Sequence, residues 1–131
     1  MKHAFDENAD LLEIFSPGAA AQADEKRSVF PDLMDHVVDS IYGFAYRRQV
    51  LDIKTRHLVS LGILAALGGC EAQLDYQLKA ALNLGLTADE VREVFIQVAV
   101  LAGNARATTV ARQFHTILSR LATPSPDADH S

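Results

Sequence analysis

Residues 51–103 read LDIKTRHLVSLGILAALGGCEAQLDYQLKAALNLGLTADEVREVFIQVAVLAG, and this stretch decides the fold. Its apolar residues recur at helical spacing, in runs that are separated by Gly68-Gly69 and Gly85 and closed by Gly103. Glycine supplies the left-handed backbone with which many helices end. The stretch therefore predicts consecutive helices over about 53–67, 70–83 and 88–102.

Capping residues stand where these helices should begin. Asp52 precedes the first helix, where its carboxylate can accept hydrogen bonds from free backbone N–H groups. Thr87 and Glu90 have the spacing of a capping box before the third. Upstream, a helix over about 31–46 would carry proline in its first turn, where proline is tolerated. Downstream, the apolar spacing predicts a closing helix over 105–121.

The size and composition of the chain indicate one helical domain. Its 131 residues, 49% of them hydrophobic, are enough to bury the core of one domain and too few for two. Abundant alanine and leucine with sparse proline favour an all-α fold, and we expect about six helices. We assign residues 1–30 to an N-terminal extension with short helices at 9–15 and 19–27, residues 31–121 to the domain and residues 122–131 to a disordered tail.

The charge pattern excludes some classes of partner. The net charge is −5 and no basic stripe occurs, so we expect no nucleic acid and no anionic membrane as a partner. The longest apolar runs are too short to span a bilayer. The lone cysteine excludes an internal disulfide, and a reducing cytoplasm is the expected location.

The helix over 53–67 is almost wholly apolar after His57, so we expect it to be buried on several sides. The other helices should bury one stripe each. The residues that we expect in the core include Leu33 and Phe44 in the helix over 31–46, Val59, Leu61, Ile63, Leu64 and Leu67 in the apolar helix, and Leu101 in the helix over 88–102.

Two residue types on the second helix suggest chemistry. Cys70 follows two glycines and opens a helix, where backbone N–H groups stabilise a thiolate, although small buried cysteines are also common packing residues. Cys70, Gln73 and Gln77 lie on one face, which would edge a pocket or face solvent. Neither glutamine can exchange protons, so neither can be an acid or a base.

The start of the apolar helix carries the other candidates. His57 stands where the helix changes from charged to apolar, and it is either a general acid or an ordinary first-turn histidine. Arg47, Arg48 and Arg56 bracket this helix start and would bind an anion or pair with nearby acids.

Two tyrosines and one glutamine complete the set of candidates. Tyr42 and Tyr46 are one helical turn apart, so they would wall the same pocket. Gln97 lies on a largely apolar helix, which predicts a buried polar side chain in need of a partner.

The runs GFAYRRQVLDIKTRHLVSLGILAALGG and QLKAALNLGLTADEVREVFIQVAVLAG resemble the carboxymuconolactone decarboxylase family, within the alkylhydroperoxidase D superfamily, over residues 31–118. The resemblance implies an all-α fold and a homo-oligomer, usually a trimer or hexamer. In the decarboxylase branch, an anionic lactone from protocatechuate breakdown loses CO₂ and is protonated to an enol-lactone. That reaction needs no metal and no organic cofactor.

The resemblance also implies roles for individual residues. Arg48 falls on the arginine of the family's W-x-R-P stretch, in which Tyr46 replaces the tryptophan. Arg56 falls on the arginine of its T-R stretch, and Gln97 falls where members carry glutamine or histidine. Gln77 stands where the decarboxylases carry their proton-donor histidine.

The missing family histidine must be replaced if the chain is a decarboxylase. His57, Tyr76 or Asp75 would then supply the proton. The peroxidase branch uses C-x-x-C followed by histidine, of which only Cys70 is present, and a single thiol needs an outside partner to turn over.

Three hypotheses follow. The first is a cofactor-free lyase or isomerase for a small anionic lactone, in which His57 is the acid or base, Arg48 and Arg56 hold the carboxylate, and Gln77 and Gln97 orient carbonyls. The second is a peroxidase that uses a single cysteine. The third is a ligand-binding oligomer without catalysis.

Overall fold

Helices make up about 80% of the described chain. The computed structural model describes residues 4–19, 22 and 29–123, and within these ranges it contains α-helices, one π-helical segment and no strand. None of these helices has the length and apolarity needed to cross a bilayer. The elements are α1 (Ala4–Glu7), α2 (Ala9–Phe15), α3 (Pro31–Val38), the π segment (Asp39–Ala45), α4 (Ile53–Leu67), α5 (Glu71–Asn83), α6 (Ala88–Ala102) and α7 (Asn104–Ala122).

The predicted all-α class and the main helix boundaries are confirmed. Asp52 accepts a hydrogen bond from the Thr55 backbone N–H at 2.7 Å and caps α4. Thr87 and Glu90 form the predicted capping box at the start of α6, with bonds of 3.1 and 2.9 Å. Most of the predicted helix over 19–27 and most of the predicted tail lie outside the described residues.

The predicted helix over 31–46 changes its pitch at Asp39. The Tyr46 N–H donates to the carbonyl of Ile41, five residues back, at 2.9 Å, which is the π-helical pattern. In this wider turn Val38, Tyr42 and Tyr46 all face inward. The predicted apolar stripe is therefore wrong at two positions, because Leu33 and Phe44 are exposed.

The core consists of two apolar clusters. The larger lies among α4, α5, α6 and α7 and contains Leu61, Leu78, Val91, Phe95, Val110, Phe114 and Ile117, among others. The smaller joins the N-terminal helices to α3, the π segment and α5, and it contains Phe5, Leu11, Leu12, Phe15, Val38, Tyr42, Tyr46, Ala80 and Leu84. The N-terminal segment is thus packed against the rest of the chain.

The expectation that α4 is buried on several sides is wrong for a single chain. One side, with His57, Leu61 and Ala65, is buried against α5, α6 and α7. The opposite side is largely exposed. Its large apolar residues are Val59, Ile63 and Leu67, which are 51%, 56% and 65% exposed, and Leu101 of α6 is also exposed against expectation.

Candidate functional site

His57 is the most buried titratable residue of the candidate site, with 0% of its surface exposed. Its Nε2 lies 2.8 Å from the backbone carbonyl of Gln77, and its Nδ1 lies 2.9 Å from the hydroxyl of Tyr46. A carbonyl can only accept a hydrogen bond, so Nε2 carries the proton of the neutral ring. Nδ1 then accepts from the Tyr46 hydroxyl.

The hydrogen-bond chain continues from Tyr46 to Ser60. The two hydroxyls are 2.8 Å apart, and Ser60 Oγ can donate to the carbonyl of Arg56 at 3.2 Å. With neutral His57, Ser60 donates to Tyr46 and Tyr46 donates to Nδ1. If His57 gains a proton, both of these bonds reverse: Nδ1–H donates to Tyr46, Tyr46 donates to Ser60, and Ser60 turns its proton to the backbone carbonyl of Arg56. Both proton arrangements give every donor an acceptor, so the chain can store and pass on a proton.

Burial determines which groups of this hydrogen-bond chain carry a proton at neutral pH. It lowers the pKa of His57, although the hydrogen bond to the Gln77 carbonyl opposes the shift. Burial also raises the pKa of the Tyr46 phenol, against the opposing effects of the Ser60 hydrogen bond and the Arg56 charge. At neutral pH the histidine is therefore uncharged and the phenol is protonated.

Packing holds the chain in place from two directions. The π segment turns Tyr46 toward α4, while α5 supplies the Gln77 carbonyl. The ring of Phe15 meets Tyr46 edge-on, with centroids 4.8 Å apart, and lies 5.4 Å from the His57 ring. Phe15 is fully buried, so it closes the N-terminal side of the histidine to water.

The two hydroxyls of the chain line a cavity of about 280 Å³, which we call the Ser60 cavity. Gln77 and apolar side chains form the rest of its wall. A small ring compound placed there would lie beside two hydroxyls that connect to a buried base. The lining residues are Ser40, Ile41, Ala45, Tyr46, Ser60, Ile63, Leu64 and Gln77.

Two buried polar atoms near this cavity have no hydrogen-bond partner among the described residues. They are Oε1 of Gln77, an acceptor, and Nε of Arg56, a donor. Arg56 lies one helical turn before Ser60 on α4, and its charge reaches the Tyr46 phenol. Unpaired buried polar atoms cost about 1–3 kcal/mol each, so their presence favours a site that a polar ligand completes.

A second cavity, the Phe5 cavity, lies on the other side of Gln77 and encloses about 260 Å³. It shares Gln77 and Ile41 with the Ser60 cavity, so the two adjoin. Burial raises the pKa of Tyr42 in its wall, and a hydrogen bond with the Gln77 side chain opposes that shift. Its lining consists of Phe5, Leu12, Met34, Val37, Val38, Ile41, Tyr42, Ala72, Gln73, Tyr76 and Gln77.

The structure does not bring Arg48 to the Ser60 cavity. Arg48 lines a separate cleft with Arg47 and Asp52, and its guanidinium lies 5.7 Å from the ring centre of Phe44. Arg47 is used in an ion pair with Asp10. Neither Arg48 nor Arg56 is among the residues that line the Ser60 cavity, and the predicted clamp of these two arginines around one carboxylate stays a prediction.

Gln97 also lies outside the site. The prediction that it is buried is wrong: it is exposed on α6 and lines neither the Ser60 cavity nor the Phe5 cavity. It follows Val94, whose side chain faces Gly62 of α4, by three residues. The apolar residues around Gln97 in the sequence led to the wrong prediction of burial.

Cys70 occupies a place of its own. It is half-buried, and its thiol donates to the Leu64 carbonyl at 3.3 Å. It lines a third cavity, of about 130 Å³, together with Glu71 and Arg106. The face that Cys70 shares with Gln73 and Gln77 thus borders three different cavities. A thiol proton is thus used in a hydrogen bond to the backbone, whereas the nucleophilic form of a cysteine is the thiolate.

Sequence reasoning missed two residues of the site, Ser60 and Phe15. The spacing from His57 to Ser60 places them on neighbouring parts of α4, but serine is common on helices and gave no signal. Phe15 stands 42 positions from His57 in the sequence, and only the tertiary fold joins them.

Comparison with known proteins identifies the family. The model of the carboxymuconolactone decarboxylase family matches residues 31–115, more than half of the chain. A 4-carboxymuconolactone decarboxylase of Acinetobacter baylyi is 33% identical over 72 residues, which are 55% of this chain and 53% of that protein. The match thus spans about half the length of each protein. The chain belongs to the carboxymuconolactone decarboxylase family, and its all-α fold is alkylhydroperoxidase D-like.

Proposed function

We propose that this protein is a cofactor-independent lyase that removes CO₂ from a small cyclic carboxylate in the Ser60 cavity. The observation that carries the proposal is the hydrogen-bond chain from His57 through Tyr46 to Ser60, which begins in the core and ends at a cavity wall. Family membership and the name of the Acinetobacter baylyi relative support the reaction type. The substrate class, an anionic lactone or a related ring, is part of the proposal.

The unpaired atoms suggest how a substrate lies. Arg56, whose buried Nε has no partner among the described residues, would hold the carboxylate. The Gln77 side chain would orient the ring, because its amide N–H can donate to the lactone carbonyl. We do not assign Arg48 or Gln97 a role in this pocket.

The proposed reaction breaks one bond and uses one proton. The bond between the ring carbon and the carboxylate breaks, CO₂ leaves, and the electron pair is delocalised into the conjugated lactone. A hydroxyl of the chain then gives a proton to the ring carbon. Protonated His57 replaces that proton through Tyr46, and a proton from solvent in the emptied cavity returns to His57 along the same hydroxyls. His57 acts without touching the substrate, because it is fully buried.

The pH dependence of the rate follows from this scheme. The active form carries a proton on His57, whose pKa is lowered by burial. We expect kcat/KM to rise as the pH falls toward that pKa, and to drop about tenfold per pH unit above it. A group that had to be deprotonated would give the opposite slope.

The direct test measures CO₂ release from carboxymuconolactones by the whole protein and its variants. Tyr46→Phe and His57→Gln should each lose about 10²–10⁴ in rate, the usual contribution of acid catalysis. His115→Gln, which changes an exposed histidine of α7, serves as the control and should keep full rate. Full rate in Tyr46→Phe would refute the scheme, and ligand binding without conversion would favour the non-catalytic alternative.

Assembly into a homo-oligomer, a trimer or hexamer, is also proposed. Its support is the exposed apolar side of α4, with Val59, Ile63 and Leu67, which would need cover in water. Ile63 also lines the Ser60 cavity, so a second copy on this side would lie at the cavity mouth. A cytoplasmic location remains a proposal that rests on the single free thiol of Cys70.

A further inference from the structure

Part of the candidate site comes from a segment that precedes the matched family region. The family model begins at residue 31, whereas residues 4–19 lie before it. Two side chains of this segment, Phe5 and Leu12, line the Phe5 cavity. A third, Phe15, packs on the rings of Tyr46 and His57. The segment therefore reaches both the apolar cavity and the proton-carrying chain.

Specific contacts fix this segment on the domain. Arg47 donates to both carboxylate oxygens of Asp10, at 2.8 and 3.0 Å, and to Oδ1 of Asn8 at 3.2 Å. At the other end, Asn83 donates to the Phe15 carbonyl at 2.8 Å. These contacts hold the segment from α1 to the end of α2, so its side chains form a defined wall.

The two adjoining cavities differ in the charge of their surroundings. Within the described residues, the Phe5 cavity has no charged side chain in its lining, and Phe5 and Leu12 face mainly apolar groups across it. The Ser60 cavity is lined by Tyr46, and the positive charge of Arg56 is close enough to lower the pKa of that phenol. A ligand with a carboxylate at one end and a hydrocarbon part at the other matches this pair, because charged groups avoid unpaired burial and apolar groups favour it.

We propose that residues 4–19 form a specificity-determining wall, which selects the hydrocarbon part of the carboxylate that binds between the two cavities. The inference rests on the proposed function, because it uses the same pocket. It adds that the substrate carries an apolar substituent, which lies against Phe5 and Leu12 while the ring lies beside Gln77.

Binding of unreactive carboxylates tests this wall without any turnover. Para-alkylbenzoates from methyl to hexyl are titrated into the full-length protein by calorimetry. Binding to the wild type should tighten about fourfold for each methylene that is buried, until the cavity is full. Leu12→Ala removes an isopropyl group from the wall, and Phe5→Leu also makes the wall smaller, so both should move the preferred alkyl chain to a greater length.

Ile14→Ala is the matched control, because Ile14 belongs to the same helix, is exposed and does not line the cavity. It should keep the length preference of the wild type. Circular dichroism establishes whether each variant is folded. If Leu12→Ala is unfolded, the alkyl-length preference of Phe5→Leu tests the proposal. The same length preference in the folded wall variants and the wild type would overturn the proposal, as would a failure of every benzoate to bind the wild type.

The two proposals fail separately. A shifted length preference without any CO₂ release from lactones would leave the wall in place and remove the proposed reaction. CO₂ release from lactones with an unchanged preference for alkyl length would support the proposed reaction and remove the proposed wall.

Discussion

A buried, doubly hydrogen-bonded histidine is the residue on which the site depends. His57 makes its two hydrogen bonds only if the ring is neutral with the proton on Nε2, or charged with the chain reversed. Burial favours the neutral form by lowering the pKa of His57. A histidine in this environment links the chemistry of the cavity to the stability of the core.

The pH dependence of stability should report this link. The folded-state pKa of His57 lies below the unfolded value of about 6.5, so the unfolded state binds more protons as the pH falls. The stabilisation is thus fully present above about pH 6.5 and is lost as the pH falls through the lower folded value. Urea unfolding between about pH 7 and 5 should show this loss, and His57→Gln should flatten it.

The exposed His115 provides the control for that experiment. His115→Gln should leave the slope of unfolding free energy against pH unchanged. An equal slope in wild type and His57→Gln would mean that another group causes the pH dependence.

Phe15 should be the N-terminal residue with the greatest effect on stability. It is fully buried against Tyr42, Tyr46 and His57, so Phe15→Ala should cost about 3–5 kcal/mol in unfolding free energy. The neighbouring Ile14 is 48% exposed, and Ile14→Ala should cost much less. Comparable losses in both variants, measured by urea unfolding, would show that the segment is not packed as described.

At the residue scale, the sequence predicts chemistry only where residue type and local position suffice. His57, Tyr46 and Gln77 were candidates because of their residue types and the resemblance, and the structure brings them into hydrogen-bond contact. Gln97 was wrongly predicted to be buried because its neighbours in the sequence are apolar. An apolar surface cannot be distinguished from an apolar core by residue type alone. Ser60 and Phe15 gave no local signal at all.

At the scale of elements, the helices were predictable because caps and glycines mark their ends. The capping box at Thr87 and the cap at Asp52 are local hydrogen bonds, so the local sequence contains them. The π segment was not predictable, because a change from four-residue to five-residue hydrogen bonding leaves no mark in residue type. That change brings Tyr46 to His57.

Substitution by alanine should change the stability in opposite directions at Gly62, within α4, and at Gly68, at its end. At Gly62 an added methyl group would meet Val94 at an ordinary 3.6 Å, so Gly62→Ala should stabilise α4 by about 0.5–1 kcal/mol. Gly68 has φ +70° and ψ 165°, a conformation almost restricted to glycine, and Arg106 lies over it. Gly68→Ala should therefore destabilise by at least about 1 kcal/mol.

Thermal unfolding of the two alanine variants checks this pair. A rise in Tm for Gly62→Ala and a fall for Gly68→Ala are expected. The same sign for both would contradict the described end of α4.

At the scale of the whole molecule, the single chain leaves one apolar side uncovered. Helical periodicity predicted that α4 is apolar nearly all round, which is correct, but the sequence does not say whether the same chain or another copy covers each side. The structure assigns one side to the core and leaves Val59, Ile63 and Leu67 outside. The homo-oligomer remains a prediction for that reason.

Leu67→Glu should disrupt the proposed assembly. A charge on the exposed side of α4 would be desolvated in an interface, so the variant should sediment as a smaller species than the wild type. Leu121→Glu, on the exposed end of α7, is the control. Analytical ultracentrifugation that gives a monomer for the wild type would remove the oligomer from the account.

The protonation state of His57 tests the central claim most directly. Nitrogen-15 NMR of the ring, assigned with His57→Gln, should show a neutral imidazole with its proton on Nε2 at pH 7, and a pKa below about 6.5. A charged ring at pH 7, or a neutral ring with its proton on Nδ1, would contradict the hydrogen-bond chain and the proton path proposed through Tyr46.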